Sequence, residues 1–303
     1  MQLSQQDLHH LTQEAIKAAK KAGEYISSYT SKHLKVNYKP STSDESDKVL
    51  GGSSLASRVF TEVDIKSQEI ILESLSASIH QYDLALLTEE QVDDKSRLNK
   101  DYFWCIDPLD GTLPFTEGRE GYSVSIALVS QQGIPHIGVI YDPVKKNIYY
   151  CLKSGGVYKN DQEFNISDKN QHFTLITDRS FTKEPDFTQV HNEIEAYALN
   201  KGLKNIQHIN TGGAAMNAIW VLENSPACYF KFPKTKQGGG SIWDFAATTA
   251  IFNELKLPAY NIFGKPLDLN NPGTTFMNQQ GVLFATDKST QQHIQSIYAE
   301  LRK

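Results

Sequence analysis

Two aspartates, Asp107 and Asp110, lie three positions apart in the segment 107–112, which reads Asp-Pro-Leu-Asp-Gly-Thr. The segment directly follows an apolar run at residues 102–106 that predicts a strand. Carboxylates gathered at such a place can bind a hard cation. Asp-Pro and Asp-Gly are also ordinary turn dipeptides, so the segment alone is typical of a turn that ends a strand. A chemical role therefore depends on further acidic residues that reach the same place.

A second pair of acidic residues ends the preceding predicted strand in the same way. Glu89 and Glu90 follow the apolar run at residues 84–87. Ligands usually bind where strands end in layered α/β proteins. The two strand ends therefore predict a shared acidic site.

Two more aspartates lie where helices are predicted to begin. Asp64 opens the helix predicted at residues 62–79, and Asp244 opens the Ala-rich helix predicted at 243–255. Each lies three residues after a hydroxyl residue, Thr61 or Ser241, in the pattern of a helix capping box. The pattern thus allows either a structural role or a place in the acidic site.

Convergence of Glu89, Asp107, Asp110 and Asp244 would require either protonation or bound cations. Two unit charges about 4 Å apart repel by about 4 kcal/mol at an effective dielectric constant of about 20. Carboxylate oxygens, a backbone carbonyl and waters suit magnesium, whereas zinc would draw on His and Cys ligands. The sequence therefore favours a magnesium site.

The acidic segments, taken in order, resemble the inositol monophosphatase superfamily of magnesium-dependent, lithium-sensitive phosphatases. The resemblance covers nearly the whole chain. It rests on four stretches: F-T-E-V-D at 60–64, L-T-E-E at 87–90, W-C-I-D-P-L-D-G-T at 104–112 and W-D-F-A-A at 243–247.

The resemblance implies a ligand set for two or three Mg²⁺ ions. Glu89, Asp107 and the carbonyl of Leu109 would hold one ion. Asp107, Asp110 and Asp244 would hold a second, and Glu89 would help to hold a third. Glu89 is thereby also expected to be catalytic, and Asp244 is also expected to bind substrate.

The resemblance also implies catalytic and substrate-binding residues. Asp64 and Thr112 would orient a water that attacks a phosphate monoester in line, without a phosphoenzyme, while a metal lowers the pKa of that water. Gly111 and Thr112 begin a turn whose backbone N–H groups can face a phosphate. Gly213 and Ala214 match a small-residue turn into a helix that lies against the substrate, although tight helix packing explains them equally well.

Lys231 departs from the family pattern. In inositol monophosphatases a glutamate at this place contacts inositol hydroxyls, but a lysine cannot accept hydrogen bonds from a polyol. It can pair with a second anionic group. The loop 233–242 that follows is longer than usual and adds Lys234 and Lys236. We therefore expect Lys231 to bind substrate, although a solvated loop explains these lysines as well.

These features favour a 3′(2′),5′-bisphosphate nucleotidase, which converts 3′-phosphoadenosine 5′-phosphate to AMP and phosphate. Many such enzymes carry the Asp-Pro-Leu-Asp-Gly-Thr motif. The alternative is a phosphatase of inositol 1-phosphate or another sugar monophosphate. A silent relative that binds a metabolite or a protein is a third possibility, against which the intact acidic set argues. A nucleotide would need an aromatic surface, which the sequence does not locate.

The predicted elements that must position these residues alternate between sheet and helix, which indicates an α/β (α+β) fold. The resemblance implies a layered αβαβα sandwich. We expect an N-terminal α+β half, 1–165, with most metal ligands and a mobile loop at 37–57 near the site, although an ordinary surface loop explains that segment as well. The C-terminal α/β half, 166–303, would supply Asp244 and the specificity loop.

Composition narrows the function class. The 303 residues include 30 basic and 35 acidic side chains, a net charge of -5 that argues against binding a nucleic-acid polymer. No apolar run approaches the about 20 residues of a membrane span, and the first residues are too polar for a secretory signal. The three cysteines form no C-x-x-C pair, which indicates a reducing compartment. We expect a cytoplasmic enzyme acting on a small phosphorylated metabolite, and the resemblance implies a homodimer.

Overall fold

A computed structural model describes residues 2–29, 36–39, 59–167 and 170–303. The loop predicted to be mobile, 37–57, lies outside the described residues from position 40 onward. Among the helices of the described segments, none combines the length and the apolar character that a membrane crossing requires.

Two helices form the outer layer on the N-terminal side. They are α1 (Gln5–Ser28) and α2 (Glu62–Gln81), and they pack against each other and against a sheet. Ser4 and Asp7 form the predicted capping box in front of α1. The apolar stripe of α1 is buried, because its Leu, Ile and Ala residues recur at helical spacing.

The first half of the chain forms a small ribbon and a large sheet. The ribbon is an antiparallel pair, β1 (Val36–Tyr38) and β2 (Val59–Thr61). Seven strands pair in sequence order in the sheet, parallel between the first two and antiparallel thereafter. They are β3 (Ala85–Thr88), β4 (Tyr102–Asp110), β5 (Ser123–Ser130), β6 (Pro135–Asp142), β7 (Asn147–Leu152), β8 (Val157–Lys159) and β9 (Gln162–Glu163).

Strand β4 corrects the prediction that Asp107 and Asp110 follow the strand in a turn. The strand does not end at Ile106 but continues through Asp110, and the short helix α3 (Thr112–Thr116) begins two residues later. Pro108 is tolerated within the strand because the pairing with β5 is irregular between the two aspartates.

The second half of the chain contributes four helices and a second sheet. The helices are α4 (Phe187–Asn200), α5 (Ala214–Glu223), α6 (Ile242–Glu254) and α7 (Lys288–Glu300). The five strands are β10 (Phe173–Ile176), β11 (Ile206–Ile209), β12 (Ala227–Lys231), β13 (Ala259–Tyr260) and β14 (Val282–Ala285), in the spatial order β11-β10-β12-β14-β13.

The helices and sheets stack in five layers that enclose three apolar cores. One core lies between α1, α2 and the first sheet. The largest lies between the two sheets and is filled by α5 and α6. The third lies between the second sheet and the outer helices α4 and α7. The predicted αβαβα sandwich is confirmed. The division at residues 165 and 166 stays a prediction.

The three cysteines, Cys105, Cys151 and Cys228, are free and buried in these cores. Burial raises the pKa of each thiol, because the thiolate form is disfavoured away from water. Cys105 lies beside the acidic site along the chain but serves as a buried strand residue.

Candidate active site

A β-bulge brings Asp107 and Asp110 to the same face of the first sheet. Asp107 lies opposite Ser125 and Asp110 lies opposite Ser123, so three steps on β4 match two steps on β5. In a regular strand, residues three apart point to opposite faces. One extra residue on β4 cancels that alternation, and both carboxylates are buried on one side of the sheet.

Asp110 is fixed by the beginning of helix α5. Its two carboxylate oxygens accept hydrogen bonds from the backbone N–H groups of Ala214 and Ala215, both at 2.9 Å. A Cβ atom at Gly213 would lie 2.5 Å from Asp110 Oδ2 and 2.7 Å from the Gly111 backbone. The sequence needs glycine at position 213 because only glycine permits this approach.

Asp244 reaches the site from the first turn of α6. The backbone N–H of Ser241 donates to Asp244 Oδ2 at 2.6 Å, which completes the predicted capping box. Carboxylate oxygens of Asp107, Asp110 and Asp244 nevertheless lie within 4.8 Å of one another. The capping role and a place in the acidic site are therefore compatible. We call these three residues the acidic cluster.

Burial and nearby like charges disfavour the ionised form of the carboxyls in the acidic cluster. Burial and then the charge of Glu89 raise the pKa of Asp107 well above its ordinary value. Burial and then the charge of Asp244 raise the pKa of Asp110 to about 8. Burial and then the charge of Glu89 raise the pKa of Asp244 to about 6. Three oxygen donors without His or Cys fit a hard divalent cation.

Asp64 and Thr112 meet beside the acidic cluster. The hydroxyl of Thr112 donates to Asp64 Oδ1 at 3.0 Å, while Asp64 Oδ2 accepts from the backbone N–H of Thr61 at 2.8 Å and from its hydroxyl at 2.6 Å. Burial raises the pKa of Asp64 to about 6, against the lowering effect of the hydrogen bonds from Thr61. The two predicted catalytic residues thus form one buried pair.

Glu89 lies at the predicted strand end, but its carboxylate forms an ion pair with a lysine. Lys39 Nζ lies 2.8 Å from Glu89 Oε1 and 2.7 Å from Glu90 Oε1. Burial and then the charge of Glu89 raise the pKa of Glu90 to about 8. Nothing in the sequence singles out Lys39 as the partner of both glutamates, since it stands about 50 positions away in an irregular segment.

The remaining predicted residues line one cavity of about 540 Å³ with the acidic cluster. Leu109, Gly111, Gly213, Ala214 and Lys231 all reach its wall. The carbonyl oxygen of Leu109 lies 3.3 Å from the hydroxyl oxygen of Thr112. The backbone N–H of Ala214 donates to Asp110, and Gly213 permits the close approach of the two segments. The substrate-binding role of Gly213 and Ala214 stays a prediction.

Lys231 is paired inside the protein. Its ammonium lies 2.9 Å from Asp178 Oδ2 and 5.4 Å from the centre of the Phe245 ring. The sequence pattern does not single out Asp178. Its position is nevertheless a usable signal, because Asp178 lies two residues beyond the end of strand β10 and polar residues near strand ends are candidates for a site. The substrate-binding role of Lys231 stays a prediction.

The far wall of the cavity is aromatic and basic. Phe181 lies on a 3-10 helix, Arg179–Lys183, and its ring meets the rings of Phe230 and Phe232 edge to face. These residues line the cavity together with Lys183 and Lys234. This is the aromatic surface that the sequence does not locate. It is assembled from chain segments about 50 residues apart, so no local pattern reveals it.

Comparison with known proteins gives a consistent result. The model of the inositol monophosphatase family matches residues 7–302. The 3′(2′),5′-bisphosphate nucleotidase CysQ of Salmonella typhimurium is 30% identical over 224 residues, which are 72% of this chain and 82% of that protein. The Nus factor SuhB of Haemophilus influenzae is 29% identical over 246 residues, which are 79% of this chain and 80% of that protein.

A solved structure supports the architecture. An IMPase of Thermotoga maritima superposes with a TM-score of 0.69 at 21% identity and covers 95% of this chain and 96% of that one. At this identity the likeness shows the fold alone.

Proposed function

The chain belongs to the inositol monophosphatase family, whose members are metal-dependent phosphatases of small phosphorylated substrates, and within it we propose a 3′(2′),5′-bisphosphate nucleotidase. The proposed reaction converts 3′-phosphoadenosine 5′-phosphate to AMP and phosphate. The observation that carries the proposal is one cavity that is lined both by the acidic cluster and by an aromatic, basic wall.

Mg²⁺ is the proposed cofactor, as two or three ions. Asp107, Asp110 and Asp244 would hold one ion, and Asp107 with Glu89 and the Leu109 carbonyl would hold another. Their oxygen donors and shared negative charge fit this ion. When bound, Mg²⁺ supplies charge stabilisation at the phosphate oxygens and lowers the pKa of water.

The chain itself would orient and deprotonate the attacking water through the pair of Asp64 and Thr112. The Thr112 hydroxyl gives its proton to a hydrogen bond with Asp64 Oδ1, so the lone pairs of its oxygen can accept a hydrogen bond from water. With a pKa of about 6, Asp64 is largely ionised at neutral pH and able to take up a proton. Thr61 holds the other oxygen of this carboxylate in place.

The far wall of the cavity supports a nucleotide substrate. A cavity of about 540 Å³ is within the range that takes up a drug-sized ligand. Phe181 is only partly buried and lines the cavity, and a base can stack on an aromatic ring of this kind. Lys183 and Lys234 offer cations for a second phosphate. Lys231 and Lys234 are paired with Asp178 and Glu184, and we assign the second phosphate to these two lysines together with Lys183.

A phosphate-release assay with two substrates tests the proposal. We expect kcat/KM for 3′-phosphoadenosine 5′-phosphate to exceed that for inositol 1-phosphate at least about tenfold, because stacking of one base contributes about 1–3 kcal/mol. The assay is run with and without Mg²⁺ and with a lithium titration. Faster turnover of inositol 1-phosphate would favour the sugar-phosphatase alternative. Release of no phosphate from either compound would favour a silent binding protein.

The homodimer also stays a prediction. Sedimentation equilibrium of the purified protein would check it, with a mass of twice the chain as the expected result.

A further inference from the structure

Asp178 makes two contacts that together fix a cation beside the acidic cluster. Its Oδ1 accepts a hydrogen bond from the Tyr229 hydroxyl at 2.9 Å, and its Oδ2 lies 2.9 Å from Lys231 Nζ. Tyr229 is fully buried, and the side chain of Lys231 is only 13% exposed. The buried Tyr229 therefore holds the Asp178 carboxylate in place, and this carboxylate in turn holds the long side chain of Lys231.

The sheet places these groups together. Tyr229 and Lys231 are two residues apart on β12, so their side chains leave the same face of the strand. Strand β10 runs parallel to β12, with Ile176 opposite Tyr229. Asp178 lies two residues beyond Ile176, directly before the 3-10 helix Arg179–Lys183. The parallel pairing of β10 with β12 therefore brings the end of β10 close to Lys231.

Lys231 lines the same cavity as Asp178, Asp110 and Asp244, and its ammonium lies over the ring of Phe245, the residue that follows Asp244. Burial opposes its charge, but Asp178, Asp244 and Asp110 act on it together and raise the pKa of Lys231. Asp178 makes the direct ion pair, whereas Asp110 and Asp244 belong to the acidic cluster. An ammonium that moved onto that cluster would compete with a divalent cation for the same oxygens.

We propose that Asp178 is a positioning residue that holds the Lys231 ammonium away from Asp110 and Asp244 and so keeps the acidic cluster open to a divalent cation. The inference rests on the proposed function, since it assumes that the cluster binds metal. It gives the Asp178–Lys231 pair a purpose beyond stability: Lys231 remains next to the substrate cavity without occupying the metal site.

Titration calorimetry with Mn²⁺ at pH 7.5 tests this role in a double-mutant cycle. Asp178→Asn should weaken Mn²⁺ binding about tenfold when Lys231 is present, a loss typical of groups that orient metal ligands. In the Lys231→Met background the same change should weaken binding less than about twofold. An equal loss in both backgrounds would show that Asp178 acts only by its own charge, and would overturn the proposal.

The chain offers a matched control in Glu223. Like Asp178, its carboxylate is bonded to a tyrosine hydroxyl and a lysine ammonium, those of Tyr149 and Lys159, but it does not line the cavity of the acidic cluster. Glu223→Gln should leave the Mn²⁺ affinity unchanged. A tenfold loss in this variant too would overturn the specific role of Asp178.

Tyr229→Phe gives a second test that changes no charge. It removes one of the two contacts that hold Asp178, and we expect a loss of about threefold in Mn²⁺ affinity that disappears in the Lys231→Met background. This variant decides the question if Asp178→Asn does not fold, which thermal unfolding would reveal. Unchanged affinity in a folded Tyr229→Phe variant would then overturn the proposal.

The calorimetry also separates this inference from the proposed function. A wild-type protein that takes up no Mn²⁺ overturns the function and the inference together. A wild-type protein that binds Mn²⁺, with Asp178→Asn binding it equally well, overturns only the role of Asp178.

Discussion

The two ends of the cavity manage charge in opposite ways. At the acidic cluster, Asp107 and Asp110 are buried, and the pKa of Asp110 rises to about 8. At the rim, Glu117 accepts two hydrogen bonds from the guanidinium of Arg179, and this contact lowers the pKa of Glu117. Another rim carboxylate, Glu184, is paired with Lys234 in the same exposed setting. One end thus accumulates like charge, whereas the other compensates it within the protein.

The contrast indicates which end does the chemistry. Exposed ion pairs contribute little to stability because water and salt screen them. A buried cluster of carboxylates is costly unless a cation compensates it, so the protein retains it for a purpose other than folding. We therefore expect substitutions at the acidic end to affect turnover, and substitutions at the far wall to affect the choice of substrate.

The largest effect is expected from Asp110→Asn. Loss of the charge should lower kcat/KM by at least about 100-fold, since even indirect contacts to a metal contribute about 10- to 100-fold. The fold should survive, because one hydrogen bond to the start of α5 remains and like-charge repulsion is relieved. Phosphate release and thermal unfolding of the metal-free variant check both parts. Asp83→Asn, at an exposed side chain, is the control; near-normal turnover by Asp110→Asn would refute the assignment.

A smaller effect is expected from Gly213→Ala at the same end. The added Cβ would lie 2.5 Å from Asp110 Oδ2 and 2.7 Å from Gly111. Such overpacking costs about 1–3 kcal/mol, and it would displace Asp110, so we expect about a tenfold loss of kcat/KM and a lower thermal midpoint. Gly273→Ala is the control, because a Cβ there meets nothing closer than 3.4 Å. Full activity in Gly213→Ala would mean that the position of Asp110 is not critical.

At the far wall, Phe181→Ala should alter substrate preference. If a base stacks on this ring, KM for 3′-phosphoadenosine 5′-phosphate should rise about tenfold with kcat nearly unchanged. KM for inositol 1-phosphate should hardly move. Phe263→Ala is the control, since that ring is 57% exposed and lies outside the cavity wall. Equal changes for both substrates would contradict a base-stacking role for Phe181.

The smallest expected effect is on the stability of the metal-free protein as a function of pH. Asp64 and Asp244 have pKa values of about 6 and Asp110 of about 8, above the value of about 4 in an unfolded chain. The native state therefore binds more protons in this window, so stability falls as pH rises from about 4 to about 8. In EDTA, the thermal midpoint should drop by about 5 °C between pH 5.5 and 8.5.

Two variants and added Mn²⁺ test whether the pH effect arises at the acidic end. Asp110→Asn should reduce the slope, and so should Mn²⁺, because each removes part of the repulsion between carboxylates. Glu117→Gln at the rim should leave the slope unchanged, because the pKa of Glu117 is lowered and lies outside the window. A flat profile in the wild-type protein would contradict the picture of an uncompensated cluster.

The family resemblance named the residues of the acidic end, and local patterns placed two of them at the starts of helices. Asp64 and Asp244 occupy capping boxes whose spacing is visible in the chain, and the structure contains both boxes. The alternation of sheet and helix predicted the layered fold, which is confirmed. The prediction that the strand ends before Asp107 is wrong. The bulge in β4 arises from its pairing with β5 and leaves no clear trace in the sequence of either strand alone.

The residues of the far wall could not be predicted from local patterns. The pair of Asp178 and Lys231 joins positions about 50 residues apart, and so does the contact of Phe181 with Phe230 and Phe232. Such contacts depend on strand order and register, which a single sequence does not reveal. The sequence marks Lys231 as unusual, whereas nothing near it in the chain indicates its partner.

The amino-acid sequence by itself determined which carboxylates are available, which helices they begin and which layers those helices and strands form, because these depend on neighbours a few positions away. Only the tertiary structure decided that Asp107 and Asp110 share a face, that the start of α5 holds Asp110, and that Lys231 faces Asp178. The physical reason is that strand pairing and helix docking bring distant residues within hydrogen-bonding distance, where burial and charge then set their chemistry.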